Sequence, residues 1–132
     1  MKKFIFKVLC FSAMMLIPSC ANAQSNNNVD VLIENVIGKV LPYEFETILT
    51  GAKELAKIAN NNPDNWLASY YSALYSLNYV SQNPKSKENE ELLKNADKAI
   101  HKMETLKDAD RSEVYALKGY YYLSIACYQA IS

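Results

Sequence analysis

His101 is the only histidine of the 132-residue chain, and it makes the sequence's strongest case for chemistry. Asp97 lies four residues before it and Glu104 three after, so on a helix the three share one face. An imidazole between two carboxylates is the start of a metal site or a general base. A zinc site needs three or four ligands, and neither a second histidine nor a nearby cysteine completes this one. The spacing therefore reads as a surface histidine beside ordinary helix charge pairs, of the kind Glu90 and Lys94 also make. Glu88, Glu90 and Glu91 lack the glycine and the alternating acids of a calcium loop, and read as the solvated start of a helix. Glu44 and Glu46, two apart on a helix, point to different faces and make a poor acid/base pair. No serine has the flanking glycines of a nucleophile elbow, and the chain's three glycines form no phosphate-binding loop. Cys127 falls within an apolar helical pattern and reads as a small buried hydrophobe. The expectation is a protein without catalysis, cofactor or metal.

The ten tyrosines are the remaining chemical resource. Tyr71, Tyr75 and Tyr79 recur every four residues, and Tyr120, Tyr121 and Tyr122 are consecutive. Aromatics at helical spacing most often fill the space between helices. The other reading is an aromatic-lined groove, because tyrosine joins apolar area to a polar tip.

The elements that must position these residues all read as helices. Glycine and proline are scarce, and the prolines fall between periodic segments. A weak first helix is expected over 30–40, closed by Pro42, which can also open the next helix. The second, 43–60, has a regular stripe from Phe45 through Ile48, Ala52 and Leu55 to Ala59. Asn60 to Asp64 is a stop and turn around Pro63. Asp64 or Asn65 caps a third helix to about Ser81; its apolar side carries Leu67, Tyr70, Tyr71, Leu74 and Leu77, and Ser69, Ser72 and Ser76 mark the polar side. Ser86 can cap a fourth helix, whose buried stripe runs from Leu92 and Leu93 through Ala96, Ala99, Ile100 and Met103 to Leu106. Asp110 and Glu113 have capping-box spacing and open a fifth helix that runs nearly to Ser132.

One pattern is written twice. Gly51-x3-Leu55-x2-Ile58-x4-Pro63 returns as Ala96-x3-Ile100-x2-Met103-x4-Asp108, and Tyr115-x3-Gly119-x2-Tyr122 supplies the complementary half. Together these segments resemble tetratricopeptide repeats, stacked pairs of helices A and B with a period of about 34 residues. The resemblance covers roughly 45–132 and implies that Ala73 and Gly119 hold the small position of two A helices. There are departures. Lys118 stands where leucine is usual, and Ser69 occupies the aromatic site while Trp66 lies at the helix start. Ala73 and Gly119 are 46 positions apart, with most of the excess in a lengthened turn at 81–91. The fold implied is all-α, about five helices stacked as antiparallel hairpins. The function implied is protein or peptide binding. In this family helix A faces the groove, which by register implies Leu67, Tyr70, Leu74 and Asn78, with Tyr120 and Ser124 from the later unit.

The fifth helix is apolar nearly all round, so it should be covered on both sides. It reads as an A helix without its B, and the expectation is a truncated repeat protein, or else self-association through that helix.

Residues 1–23 read as a signal peptide. Lys2 and Lys3 precede a short apolar run, and Ala21-Asn22-Ala23 suits a signal peptidase. The run is too short to span ~30 Å of hydrocarbon. A lipidated Cys20 is the minor variant. Residues 24–29 read as a flexible leader, and 30–132 as the repeat domain. Cleavage would lower Lys plus Arg from 14 to 11 against 14 acids, giving a mildly acidic chain without basic clusters and so without affinity for nucleic acid. Cys127 alone would remain, with no internal partner for a disulfide. The expected protein is exported, periplasmic or secreted, with no transmembrane segment, and acts as a binding scaffold. The alternative function is a glycan or small-molecule accessory using the tyrosines.

Overall fold

The computed structural model describes residues 20–132, and side chains from Asn27 onward. The apolar run of the expected signal peptide lies outside the described residues. Five helices follow one another: α1 Cys20–Ile37, α2 Phe45–Asn61, α3 Trp66–Gln82, α4 Asn89–Thr105 and α5 Arg111–Ile131. The described residues contain no strand. α1 runs through 24–28, where the sequence suggests a leader. Asparagine and serine are only modestly disfavoured in helices, so a polar stretch can extend one that is nucleated downstream.

The turns are closed by local chemistry. The Asn62 amide donates to Ile58 O at 2.8 Å, finishing α2 just before Pro63. Asn65 caps α3, its Oδ1 accepting from Ala68 N at 2.9 Å. Asp110 caps α5, accepting from Ser112 N at 2.9 Å and Glu113 N at 3.3 Å. The Arg111 guanidinium turns back to the end of α4 and donates to Glu104 O and Leu106 O, 3.1 Å each. One residue pair thus starts one helix and finishes the previous one, serving both sets of orphan backbone groups. Ser86 acts one turn earlier than its spacing suggests. It accepts from Glu88 N at 3.3 Å and sits 3.1 Å from the Tyr79 hydroxyl, while α4 begins at Asn89. Asn89, fully buried, staples this lengthened turn by donating to Asn83 O at 2.7 Å.

Each helix touches its first and second neighbours in the chain and no others. α3 therefore meets all four other helices, and α1 reaches neither α4 nor α5. Two apolar clusters result. The smaller joins Val29, Ile33 and Val36 of α1 to Leu55, Ala68 and Tyr71. The larger joins Ile48 and Ala52 to Ala73, Leu77 and Val80, then Leu92, Ala96, Ile100 and Met103, and ends on Val114 and Leu117. Gly51 lies where three helices converge. A Cβ there would meet Val40 Cγ2 at 2.5 Å, with Val36 and Tyr75 within 4.0 Å. Among the described residues, no helix is long and apolar enough to cross a membrane.

The serines of α3 correct the sequence reading. Ser69, Ser72 and Ser76 are at most 3 % exposed, not solvent-facing. With neighbours on every side, α3 needs small residues where backbones approach, and a hydroxyl can be buried there if it finds a partner. Ser76 does so, donating to Ser72 O at 2.8 Å.

Candidate functional site: the outer face of the fifth helix

α5 is built to hold its position. Its N-terminus is capped by Asp110, and its inner face buries Val114, Leu117 and Ser124, with Tyr121, Ile125 and Tyr128 packed beside them. Lys118, at the position where the repeat pattern has leucine, pairs with Glu104 of α4. The hydrogen bond from that ammonium holds the Glu104 carboxyl below the usual carboxylate range. Glu104 is thereby directed to Lys118, although its spacing also associates it with His101. The imidazole Nδ1 lies 2.9 Å from Asp97 O and 3.3 Å from Asp97 Oδ1, at the surface. Among the described residues no three His, Cys, Asp or Glu are grouped to hold a metal ion.

Of the residues expected to line a groove, Tyr70, Asn78, Tyr120 and Ser124 lie along the seam between α3 and α5, where their polarity is used internally, and Leu67 instead packs against the α1–α2 side. The Tyr70 hydroxyl donates to Glu113 Oε2 at 3.1 Å. Burial, reinforced by that carboxylate, pushes the Tyr70 phenol up to about 12. The Tyr120 hydroxyl donates to Asn78 Oδ1 at 3.1 Å and lies 2.9 Å from Ser81 Oγ. Leu67 and Leu74 are half-buried against the core clusters. Ser124 is buried, its hydroxyl donating to Tyr120 O at 2.8 Å. The fold brings Asn78 and Tyr120 together, but as a fastening between helices.

The opposite face of α5 is bare. Tyr115 is 69 % exposed, Tyr122 60 % and Leu123 62 %. Tyr115, Gly119, Tyr122 and Ala126 follow the i, i+4, i+7, i+11 rule of one helical stripe, and all four are exposed. A Cβ on Gly119 would meet nothing within 4 Å. Exposed Ala130 continues the strip, so it runs about 22 Å at 1.5 Å per residue. Cys127 is also exposed, so the expectation of a buried thiol is corrected: its position on the helix points away from α3 and α4. Within the described residues α5 is covered on one side only, by α3 and α4. Among the repeat-pattern residues, Gly51, Leu55, Ala73, Ala96, Ile100 and Met103 are buried, and Ile58 is half-buried. Pro63, Tyr115, Gly119 and Tyr122 are exposed.

Geometry thus defines an all-helical protein with a flat apolar strip on its last described helix. Comparison with family models, curated proteins and solved structures gives no match.

Proposed function

We propose that this chain is a non-enzymatic binding protein of the tetratricopeptide-repeat type, exported from a bacterial cell, and that the outer face of α5 is its working surface. The neighbour-only packing of the helices supports the repeat reading, because in a solenoid each unit touches only the units next to it. The exposed strip from Tyr115 to Ala130 carries the functional reading. Large contiguous apolar patches on a folded protein mark interaction sites, and tyrosine with aliphatic residues is the composition of an interface centre. The occupant we infer is an amphipathic helix of another polypeptide. The same chain shows the mode: the small-residue centre of α3, at Ala73, shares one buried cluster with Ala96 of α4. Gly119 offers the equivalent notch on α5, flanked by Tyr115 and Tyr122.

The test is site-specific photocrosslinking in the producing cell. A crosslinking residue in place of Tyr122 should give discrete protein adducts, and one in place of Lys57, exposed on α2, should not. Adding Leu123→Glu should remove the adducts without loss of helicity. Equal labelling from both positions, or adducts indifferent to Leu123→Glu, would contradict the proposal.

A further inference from the structure

A second site lies away from α5. A cleft of ≈ 450 Å³ opens between the C-terminal halves of α2 and α4, over the first turns of α3. That volume suits a small ligand. The walls carry methyl groups from Ala56, Ala59 and Ala99, and α3 contributes Ser69 and Ser72. These two serines are 3 % and 2 % exposed. A serine inside a helix ordinarily satisfies itself on the carbonyl one turn back, as Ser76 and Ser124 do at 2.8 Å. Among the described residues neither the Ser69 nor the Ser72 hydroxyl has a hydrogen-bond partner, and both belong to the cleft wall. Neither hydroxyl oxygen is sealed off from solvent as Asn83 Nδ2 and Asn89 Oδ1 are, so both open into the cleft and are free to bond a ligand with hydroxyl or oxyanion groups.

The rim has one sign of charge. Lys98 and Lys102, one turn apart on α4, border the cleft together with His101, and no residue lining it is acidic. Among the described residues neither lysine is held in an ion pair, whereas Lys53 pairs with Glu88 at 3.1 Å and Lys118 with Glu104. A low-dielectric recess rimmed by one sign of charge concentrates the opposite one. The Asn60 and Asn95 amides add donors and acceptors at the mouth.

We propose that this cleft binds a small organic anion, its carboxylate or phosphate between Lys98 and Lys102 and its hydroxyls on Ser69 and Ser72. The site is independent of the α5 strip, and either can fail without the other. Titration calorimetry on the full chain tests it with glucuronate and glucose 6-phosphate, and with glucose as the uncharged control. At least one anion should bind saturably at millimolar concentration or below, and glucose should not. Lys98→Gln with Lys102→Gln should weaken that anion at least tenfold with the circular dichroism unchanged, and Ser72→Ala should weaken it less. A preference for one anion then identifies the headgroup as carboxylate or phosphate. The proposal is overturned if neither anion binds, if glucose binds as well as they do, or if the double lysine variant binds undiminished.

Discussion

α3 and α5 both set a small residue in the middle of a tyrosine-rich helix, Ala73 in one and Gly119 in the other. Around Ala73 the protein closes completely. That residue is 0 % exposed, Leu77 beside it is 0 % exposed, and even the serines of α3 are buried. Around Gly119 it does not close, and Tyr122 and Leu123 stand about three-fifths exposed. Composition alone does not separate the two helices, because both are apolar with scattered hydroxyls. Position in the stack separates them. α3 has a neighbour on each flank, and α5 is flanked by α3 and α4 on one side only. The sequence of α5 asks for two covers and has one, which is the ground on which we propose its outer face as a binding surface.

The largest contrast should come from truncating one leucine on each helix. Leu77→Ala empties a fully buried site and should cost about 2–5 kcal/mol, measured by urea denaturation. Leu123→Ala should change stability by less than about 0.5 kcal/mol. Next come the glycines. Alanine favours a helix over glycine by roughly 1 kcal/mol, so Gly119→Ala should raise the thermal midpoint, since its Cβ enters open space. Gly51→Ala should lower it, because a Cβ placed 2.5 Å from Val40 must displace a stiff β-branched side chain.

Tyr70 gives a smaller and pH-dependent effect. Tyr70→Phe deletes the bond to Glu113 and should cost about 1 kcal/mol, whereas exposed Tyr122→Phe should cost nothing measurable. An unfolded tyrosine titrates near 10, and in the folded chain Tyr70 is held up to about 12, first by burial and then by Glu113. Burial likewise raises Tyr71. The folded state therefore binds these protons more tightly than the unfolded chain. The contribution of Tyr70 is complete below about pH 10 and is lost as pH rises from about 10 through about 12. Thermal melts across that window should show a falling midpoint, and Tyr70→Phe should flatten part of the fall.

Much of the fold was legible in the sequence. Asn62 and Pro63, Asn65, and Asp110 mark helix ends by chemistry that acts within four residues, so the boundaries of α2, α3 and α5 fall within about two residues of expectation. The buried stripe from Ala96 to Met103 followed from periodicity alone. Ser69, Ser72 and Ser76 were misread because burial of a small polar residue depends on which helices arrive beside it, and a single helix's pattern carries no such information. Asn89 is the same case: nothing local announces that a polar side chain will be fully buried to hold a lengthened turn. For α5 the excess of apolar residues was visible, but which side lacks a cover follows only from the placement of α3 and α4. The cleft over Ser69 and Ser72 joins three helices, and only Lys98, His101 and Lys102 of its lining lie close together in sequence.

The contrast between a closed helix and a half-open one is tested most directly by placing the same side chain at both centres. Ala73→Leu and Gly119→Leu should be unfolded in urea side by side. Leucine at position 73 has no room and should cost about 1–3 kcal/mol or more, while leucine at 119 should leave stability unchanged or slightly raised. Comparable losses at the two positions would mean that α5 is covered as α3 is, and the binding surface assigned to it would not exist.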